Sequence, residues 1–228
     1  MLPAKRQKAA IEKSAFGRAL ARFRTEREAL RCKPAGIGFL IDATGSRTHT
    51  WREALQIQEQ MFRSVSGMSA LSLRLVHFGG VTLTDHGWMS SPHEVAAIMR
   101  EVSCVGGSTQ ILPGLRAFLE DGEQPSAIIL IGDCFEESAS EATALALELK
   151  EAGIRVFSFH EGDEDFAATV FRELAETTGG KFARFGMELP LRDLCEGVTL
   201  LTAGGDRAVK RLSNPKVRRL LLTGPAQK

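Results

Sequence analysis

Oxygen-bearing side chains follow an apolar run early in the chain. Asp42, Thr44 and Ser46 stand at alternate positions behind the run 37–41, whose length and apolar content are typical of a buried parallel strand. Open α/β sheets bind ligands beyond the carboxyl ends of such strands. A carboxylate and two hydroxyls are hard donors that suit an octahedral divalent cation such as Mg²⁺ better than Zn²⁺, which prefers nitrogen and sulfur. The pattern therefore predicts a metal site, with Thr109 and Asp133 as further oxygen ligands.

These five residues resemble, in type and order, the metal-ion-dependent adhesion site of the von Willebrand factor type A family. That motif is Asp-x-Ser-x-Ser followed by a distant Thr and a distant Asp. Here a threonine takes the place of the first serine, and Gly132-Asp133-Cys134 stands where Thr-Asp-Gly is common. The resemblance spans residues 34–205 and implies Mg²⁺, or Mn²⁺ or Ca²⁺, as the cofactor. It implies the ligands Asp42, Thr44, Ser46, Thr109 and Asp133.

The order of the predicted elements favours an α/β fold. Apolar strands alternate with amphipathic helices, which predicts a mostly parallel sheet, and Gly79-Gly80 predicts a hairpin to an antiparallel strand. The family resemblance implies a three-layer, doubly wound, Rossmann-like sandwich with that antiparallel strand at one edge. Strands are predicted at 37–41, 71–78, 81–84, 127–131, 154–159 and 181–185. Helices are predicted at 50–66, 92–102, 138–152, 164–177 and 189–202, and a further helix follows Thr109 and ends near Glu120.

Charge divides the chain into three segments. Residues 1–33 carry a net charge of +7, residues 34–205 carry −12 and residues 206–228 carry +6. We expect a basic helical N-terminal extension (1–33, with a helix from Lys5 to Ala29), a type A domain (34–205) and a basic C-terminal tail (206–228). The basic ends show no aromatic-interleaved stacking surface, so nucleic acid is not an expected partner.

The cysteines and the N-terminal residues favour an intracellular protein. The four cysteines lie far apart without a Cys-x-x-Cys pair, which fits reduced thiols rather than a disulfide framework. The charged start does not resemble a signal peptide, and no uncharged apolar stretch reaches the roughly 18 residues needed to span a bilayer. We therefore expect a cytoplasmic, bacterial-type protein without a membrane span.

Two functions are compatible with the motif. The resemblance implies a binding module, not an enzyme, in which the cation bridges to an acidic side chain of a partner protein; intracellular relatives also suggest a ring-forming ATPase assembly as the partner. Alternatively, Asp42 resembles the aspartyl nucleophile of haloacid-dehalogenase-like phosphatases and phosphotransferases. That family places a lysine between the positions of Thr109 and Asp133, where this chain has Arg116 and no lysine. The sequence therefore favours the binding module.

Three charged residues flank the motif residues. Arg47 directly follows Ser46, and Glu136 and Glu137 follow Asp133 closely. All three could contact the site, but acidic residues are expected near a helix start because of the helix dipole. We therefore interpret the glutamates as part of a helix start and assign Arg47 no role in ligand binding.

Overall fold

The strands of the described residues form one sheet. A computed structural model describes residues 35–51, 71–120 and 122–223; the helix predicted from Lys5 to Ala29 and most of the one predicted at 50–66 lie outside these ranges. Six strands pair in the described part. They are β1 (Ala35–Asp42), β2 (Leu71–Gly79), β3 (Thr82–Met89), β4 (Ala127–Gly132), β5 (Arg155–His160) and β6 (Phe182–Arg184).

Strand order places a switch point at the centre of the sheet. The order is β3-β2-β1-β4-β5-β6. β1 pairs in parallel with both β2 and β4, the pairs β4–β5 and β5–β6 are also parallel, and β3 runs antiparallel to β2 at the edge. This confirms the predicted mostly parallel sheet with one antiparallel edge strand. Because the chain moves outward from β1 and then returns to β4, the crevice of a doubly wound sheet lies beyond the carboxyl ends of these two strands.

Helices cover both faces of the sheet and complete the three layers. Side chains of α1, α5 and α6 join one buried cluster, and side chains of α2, α3 and α4 join the other. The helices are α1 (Pro92–Glu101), α2 (Ile111–Glu120), α3 (Ala139–Glu151), α4 (Asp165–Thr178), α5 (Leu191–Val209) and α6 (Pro215–Leu222).

The central strands are apolar throughout because both of their faces are buried. In β4, Ile129 and Ile131 join the cluster under α5, whereas Ile128 and Leu130 join the cluster under α2. All four side chains are 0% exposed. Successive side chains of a strand point to opposite faces, so a strand covered on both sides needs an unbroken apolar run. This packing is why the sequence predicted these strands well.

The edge strand is longer than predicted. β3 extends to Met89, although its second half contains Asp85, His86 and Gly87. Aspartate and glycine are poor strand formers, so local preference ended the predicted strand at Thr84. Pairing with β2 overrides that preference, and the Arg74 guanidinium on β2 forms a salt bridge with the Asp85 carboxylate.

The end of the chain also differs from the predicted elements. The helix expected at 189–202 runs from Leu191 to Val209 with non-helical backbone at Gly205, and α6 follows. Within the segment predicted as a basic tail, Val209, Leu212 and Val217 are buried in the core cluster under α5. The three-segment division stays a prediction, but the described part of the third segment packs on the domain core. None of the helices in the described ranges is long and apolar enough to cross a bilayer.

Candidate metal centre

The first predicted metal loop leaves β1 at the switch point. Asp42 is the last residue of β1 and is 0% exposed. Its Oδ1 accepts a hydrogen bond of 2.7 Å from the Thr44 backbone N–H, whereas its Oδ2 is buried without a hydrogen-bond partner among the described residues. A buried carboxylate oxygen without a donor is costly unless a cation or a proton neutralises it. Asp42 is therefore poised for a positive ligand.

The electrostatics of Asp42 support the same conclusion. Burial raises the pKa of its carboxyl from 3.8 to about 6, although the hydrogen bonds from Thr44 and the charge of Arg47 oppose this shift. The charge of Asp133 raises the Asp42 pKa further, so the two predicted ligands are close enough to repel. A divalent cation between them would relieve both the burial cost and the repulsion.

Two hydroxyls of the same loop lie side by side. Thr44 Oγ1 and Ser46 Oγ are 3.0 Å apart, and Thr44 is buried while Ser46 is exposed. With metal–oxygen distances of about 2.0–2.1 Å, neighbouring oxygens of an Mg²⁺ octahedron are separated by about 3 Å. The observed separation therefore fits two adjacent ligands of one cation.

The loop before α2 crosses the first loop. Val105 N donates to Ala43 O at 3.0 Å, and Val105 O accepts from Gly80 N at 2.9 Å. A Cβ atom at Gly107 would lie 2.0 Å from the carbonyl oxygen of Gly80, so only glycine permits this close approach. Gly107 thus allows the chain to pass over the β2–β3 turn on its way to Thr109.

Thr109 is held by the loop that follows β4. It is 6% exposed. Its Oγ1 donates to Glu137 at 3.1 Å and accepts from Glu136 N at 3.0 Å, and its backbone N–H donates to Glu136 at 3.0 Å. Thr109 is therefore tied to the loop that carries Asp133. The two glutamates contact the loop of Thr109 rather than serving only at the start of α3. Their partner Thr109 could not be predicted from spacing, because 27 and 28 residues separate them from it.

Asp133 approaches Asp42 across the switch point. A Cβ atom at Gly132 would lie 3.4 Å from Asp42 Oδ2, so this oxygen faces the loop of Asp133. Asp133 Oδ1 is buried without a hydrogen-bond partner in the described part of the chain. The Asp133 carbonyl oxygen lies 3.1 Å from Nε2 of His160, which fixes the backbone of this loop. Two carboxylate oxygens without donors therefore occur at adjoining loops.

Arg47 is a structural neighbour that sequence analysis gave no role. Its guanidinium is 0% exposed, donates from Nε to Glu161 at 2.9 Å and donates from Nη1 to the Asp42 carbonyl oxygen at 2.6 Å. This ion pair connects the loop after β1 with the loop after β5. Its position directly after the motif could have suggested proximity, but the partner Glu161 is 114 residues away.

The donor set of the site is distinctive. Within the described ranges, no group of three or more His, Cys, Asp or Glu side chains is arranged to hold a metal ion. The candidate site instead combines two carboxylates with neutral hydroxyls. That composition suits a hard, oxygen-binding cation. The molecule is thus a doubly wound α/β domain with a candidate oxygen-ligand cation site at its switch point.

Comparison with solved structures identifies the fold. The chain is similar to BatB, a conserved hypothetical protein from Bacteroides thetaiotaomicron (TM-score 0.58, 13% identity, 78% of this chain and 98% of that chain). It is also similar to a von Willebrand factor type A protein from Catenulispora acidiphila (TM-score 0.56, 13% identity, 76% of this chain and 43% of that chain). A third similar structure is proximal thread matrix protein 1 from the mussel byssus with a zinc-occupied adhesion-site motif (TM-score 0.55, 16% identity, 67% of this chain and 41% of that chain). No protein-family model and no curated protein sequence matches the chain.

The described residues therefore have the von Willebrand factor type A fold, which confirms the fold implied by the resemblance. The phosphotransferase alternative is not favoured. Arg116, the only cation between Thr109 and Asp133, lies on α2 with its guanidinium 3.5 Å from the Glu148 carboxylate and is 47% exposed. It therefore does not replace the missing phosphate-binding lysine beside Asp42.

Proposed function

We propose that this protein binds a divalent cation, Mg²⁺ or alternatively Mn²⁺ or Ca²⁺, and uses it to engage a carboxylate of a partner protein. The proposed ligands are Asp42, Thr44, Ser46, Thr109 and Asp133. The observation that carries the proposal is the pair of buried carboxylate oxygens, Asp42 Oδ2 and Asp133 Oδ1, that have no hydrogen-bond partner among the described residues. They lie on adjoining loops at the switch point of a type A fold.

The carboxylates and the hydroxyls of the proposed ligand set have different roles. Asp42 and Asp133 supply the two negative charges that balance a divalent cation. Thr44 and Ser46 offer neutral oxygens at a separation that fits adjacent ligands, so the bound cation retains Lewis acidity. When bound, the cation supplies a coordination position that an acidic side chain of a partner can fill. The exposure of Ser46 places solvent on that side of the site.

The proposal is of a binding module rather than an enzyme. The similar mussel protein is described with zinc in its adhesion-site motif, which supports a divalent cation in this type of fold without specifying Mg²⁺. The family resemblance described above is the basis for proposing a partner protein, a cytoplasmic and bacterial setting, and an ATPase assembly as that partner. The last of these has no support in the contacts of the described residues.

Cation binding is tested by calorimetry and by unfolding. We expect 10 mM MgCl₂ to raise the free energy of unfolding of the wild type by about 2.7 kcal/mol if the dissociation constant is near 0.1 mM. Asp133→Asn should lose this increase. Asp163→Asn is the matched control, because Asp163 follows β5 at the same edge of the sheet and its side chain is fully exposed. An equal Mg²⁺ response in Asp133→Asn and the wild type would refute the proposed site.

Carboxylate binding needs a separate measurement. N-acetylglutamate amide, with N-acetylglutamine amide as the uncharged control, can be titrated into ¹⁵N-labelled protein with Mg²⁺ or with EDTA. We expect shifts at the amides of Gly45 and Ser46 only with the glutamate compound and only with Mg²⁺. Identical shifts in EDTA would show that the cation does not mediate carboxylate binding.

A further inference from the structure

The carboxylate of Glu137 connects Thr109 with the start of α2. It accepts hydrogen bonds from Thr109 Oγ1 at 3.1 Å, from Ile111 N at 2.9 Å and from Leu112 N at 2.8 Å. The first N–H groups of a helix lack partners within the helix and carry partial positive charge. A carboxylate from a distant loop satisfies two of them here. Glu137 thereby holds the helix that follows the second metal loop.

The hydrogen bonds of Thr109 leave its hydroxyl with one free direction. A hydroxyl has one proton and two acceptor lone pairs. Its proton goes to Glu137 Oε2, and one lone pair accepts the N–H of Glu136 at 3.0 Å. One lone pair remains. A hydroxyl with these two partners cannot rotate its proton toward the remaining direction without losing a charge-assisted hydrogen bond.

The negative charge of Glu137 also suits it to support Thr109 as a metal ligand. A cation ligand must present oxygen lone pairs and keep its proton away from the ion. Groups that hydrogen-bond to metal ligands fix their orientation and raise their basicity. Glu137 is suited to this task because it accepts the proton of Thr109, and its own charge is partly compensated by the N–H groups of Ile111 and Leu112.

We propose that Glu137 is a positioning residue of the cation site, which orients the remaining lone pair of Thr109 and links cation binding to the position of α2. This inference rests on the proposed function. It differs from a purely structural role at the start of α2, because a structural role would change the stability of the cation-free protein but not the affinity for Mg²⁺.

A double-mutant cycle in Mg²⁺ affinity separates the two roles. Glu137→Gln removes the charge at nearly constant shape, and Thr109→Val removes the hydroxyl at nearly constant shape. We expect Glu137→Gln to weaken Mg²⁺ binding by about 10- to 100-fold, the usual effect of losing a group that supports a metal ligand. In the Thr109→Val background the same substitution should change the affinity less than about 2-fold, because the hydroxyl through which it acts is absent.

Controls make each outcome decisive. Glu141→Gln, an exposed glutamate in the first turn of α3, should bind Mg²⁺ as the wild type does. If Glu137→Gln does not fold, Glu137→Asp, which keeps the charge but retracts the carboxylate by one methylene group, should weaken binding in the same direction. Calorimetry is performed at a temperature at which urea unfolding shows each variant to be folded.

Three results would overturn the inference. Unchanged Mg²⁺ affinity in Glu137→Gln together with lower stability would leave Glu137 only a helix-capping role. An equal loss of affinity in the wild-type and Thr109→Val backgrounds would mean that Glu137 acts through its charge and not through Thr109. Failure of the wild type itself to bind Mg²⁺, Mn²⁺ or Ca²⁺ would overturn the proposed function, and this inference with it, so the two failures are distinguishable.

Discussion

Replacing Asp42 with asparagine should not destabilise the cation-free protein, although Asp42 is fully buried. Burial raises the pKa of its carboxyl from 3.8 to about 6, so the folded state holds this proton more tightly than the unfolded state does. The stability that this group contributes is therefore present below pH 3.8 and is lost as the pH rises through about 6. The difference of about two pKa units corresponds to a cost on the order of 3 kcal/mol for the charged form near pH 7.5.

The asparagine substitution removes that cost and introduces a smaller one. Its amide oxygen can still accept the N–H of Thr44, as Oδ1 of Asp42 does. Its NH₂ group takes the place of Oδ2, which has no hydrogen-bond partner among the described residues, and an unsatisfied buried donor costs about 1–3 kcal/mol. We therefore expect a net change between zero and about 2 kcal/mol of stabilisation, which is up to about 4–8 °C in Tm for a domain of this size.

The assay is urea unfolding followed by circular dichroism at pH 7.5, with EDTA and with 10 mM MgCl₂. Asp42→Asn should be at least as stable as the wild type in EDTA and should gain nothing from Mg²⁺, so that the order of stability reverses when the cation is present. Asp163→Asn should follow the wild type in both buffers. A loss of more than about 1 kcal/mol in EDTA for Asp42→Asn would refute the argument that the unpartnered carboxylate is a net cost.

Three further predictions concern the surroundings of the site. Gly114→Ala should lower the free energy of unfolding by about 1–3 kcal/mol despite the better helix propensity of alanine, because the new Cβ would lie 2.4 Å from Leu40 Cδ1. Gly122→Ala, whose new Cβ would have open space around it, should lower it far less. Equal losses in the two variants would contradict the packing argument. Burial and the charge of His86 lower the pKa of His77 from 6.5 to about 4, so the stability this ring contributes is present above pH 6.5 and is lost as the pH falls toward 4. Between pH 7 and pH 4.5 the wild type should lose on the order of 1–2 kcal/mol more stability than His77→Phe does, a figure discounted for partial exposure of the ring. Other groups, such as Asp42, titrate in both proteins and cancel in this comparison; an equal change in the two proteins would refute the role of His77. Glu161→Gln should lower the free energy of unfolding by about 3–5 kcal/mol, because it leaves the Arg47 guanidinium buried without its carboxylate. Combining it with Arg47→Met should recover most of that loss in a double-mutant cycle. Additive losses would show that the pair is not coupled.

The strands of the sheet were predictable because local pattern and burial agree there. β4 is buried on both faces, so its apolar run could be recognised without knowing its neighbours. The loop positions followed from the same strands, since Asp42 and Asp133 lie at or directly after strand ends. β3 was predicted too short because its polar second half is held by pairing with β2 and by the Arg74–Asp85 salt bridge, neither of which is a local signal.

The partners of the site residues were not predictable from spacing. Glu137 reaches Thr109 and the start of α2 only because β1 and β4 are neighbours in the sheet and their following loops adjoin. The two glutamates had an adequate local interpretation at the start of α3, and the tertiary contact takes precedence over it. In the same way, the sequence motif identified candidate ligands but not the groups that orient them. The assignment of the five residues as metal ligands stays a prediction for the calorimetry proposed above.

The charge balance of the site depends on a pair outside the proposed ligand set. Arg47 is a buried cation whose Nη1 donates to the carbonyl of Asp42. An uncompensated positive charge next to this proposed ligand would oppose the binding of a divalent cation. Glu161 neutralises it through a 2.9 Å ion pair. The charge that remains for the cation is therefore that of Asp42 and Asp133, which equals the charge of one divalent ion in magnitude. A bound cation would leave these buried groups close to neutral, and a partner carboxylate would then add a negative charge at the exposed side, where solvent can screen it.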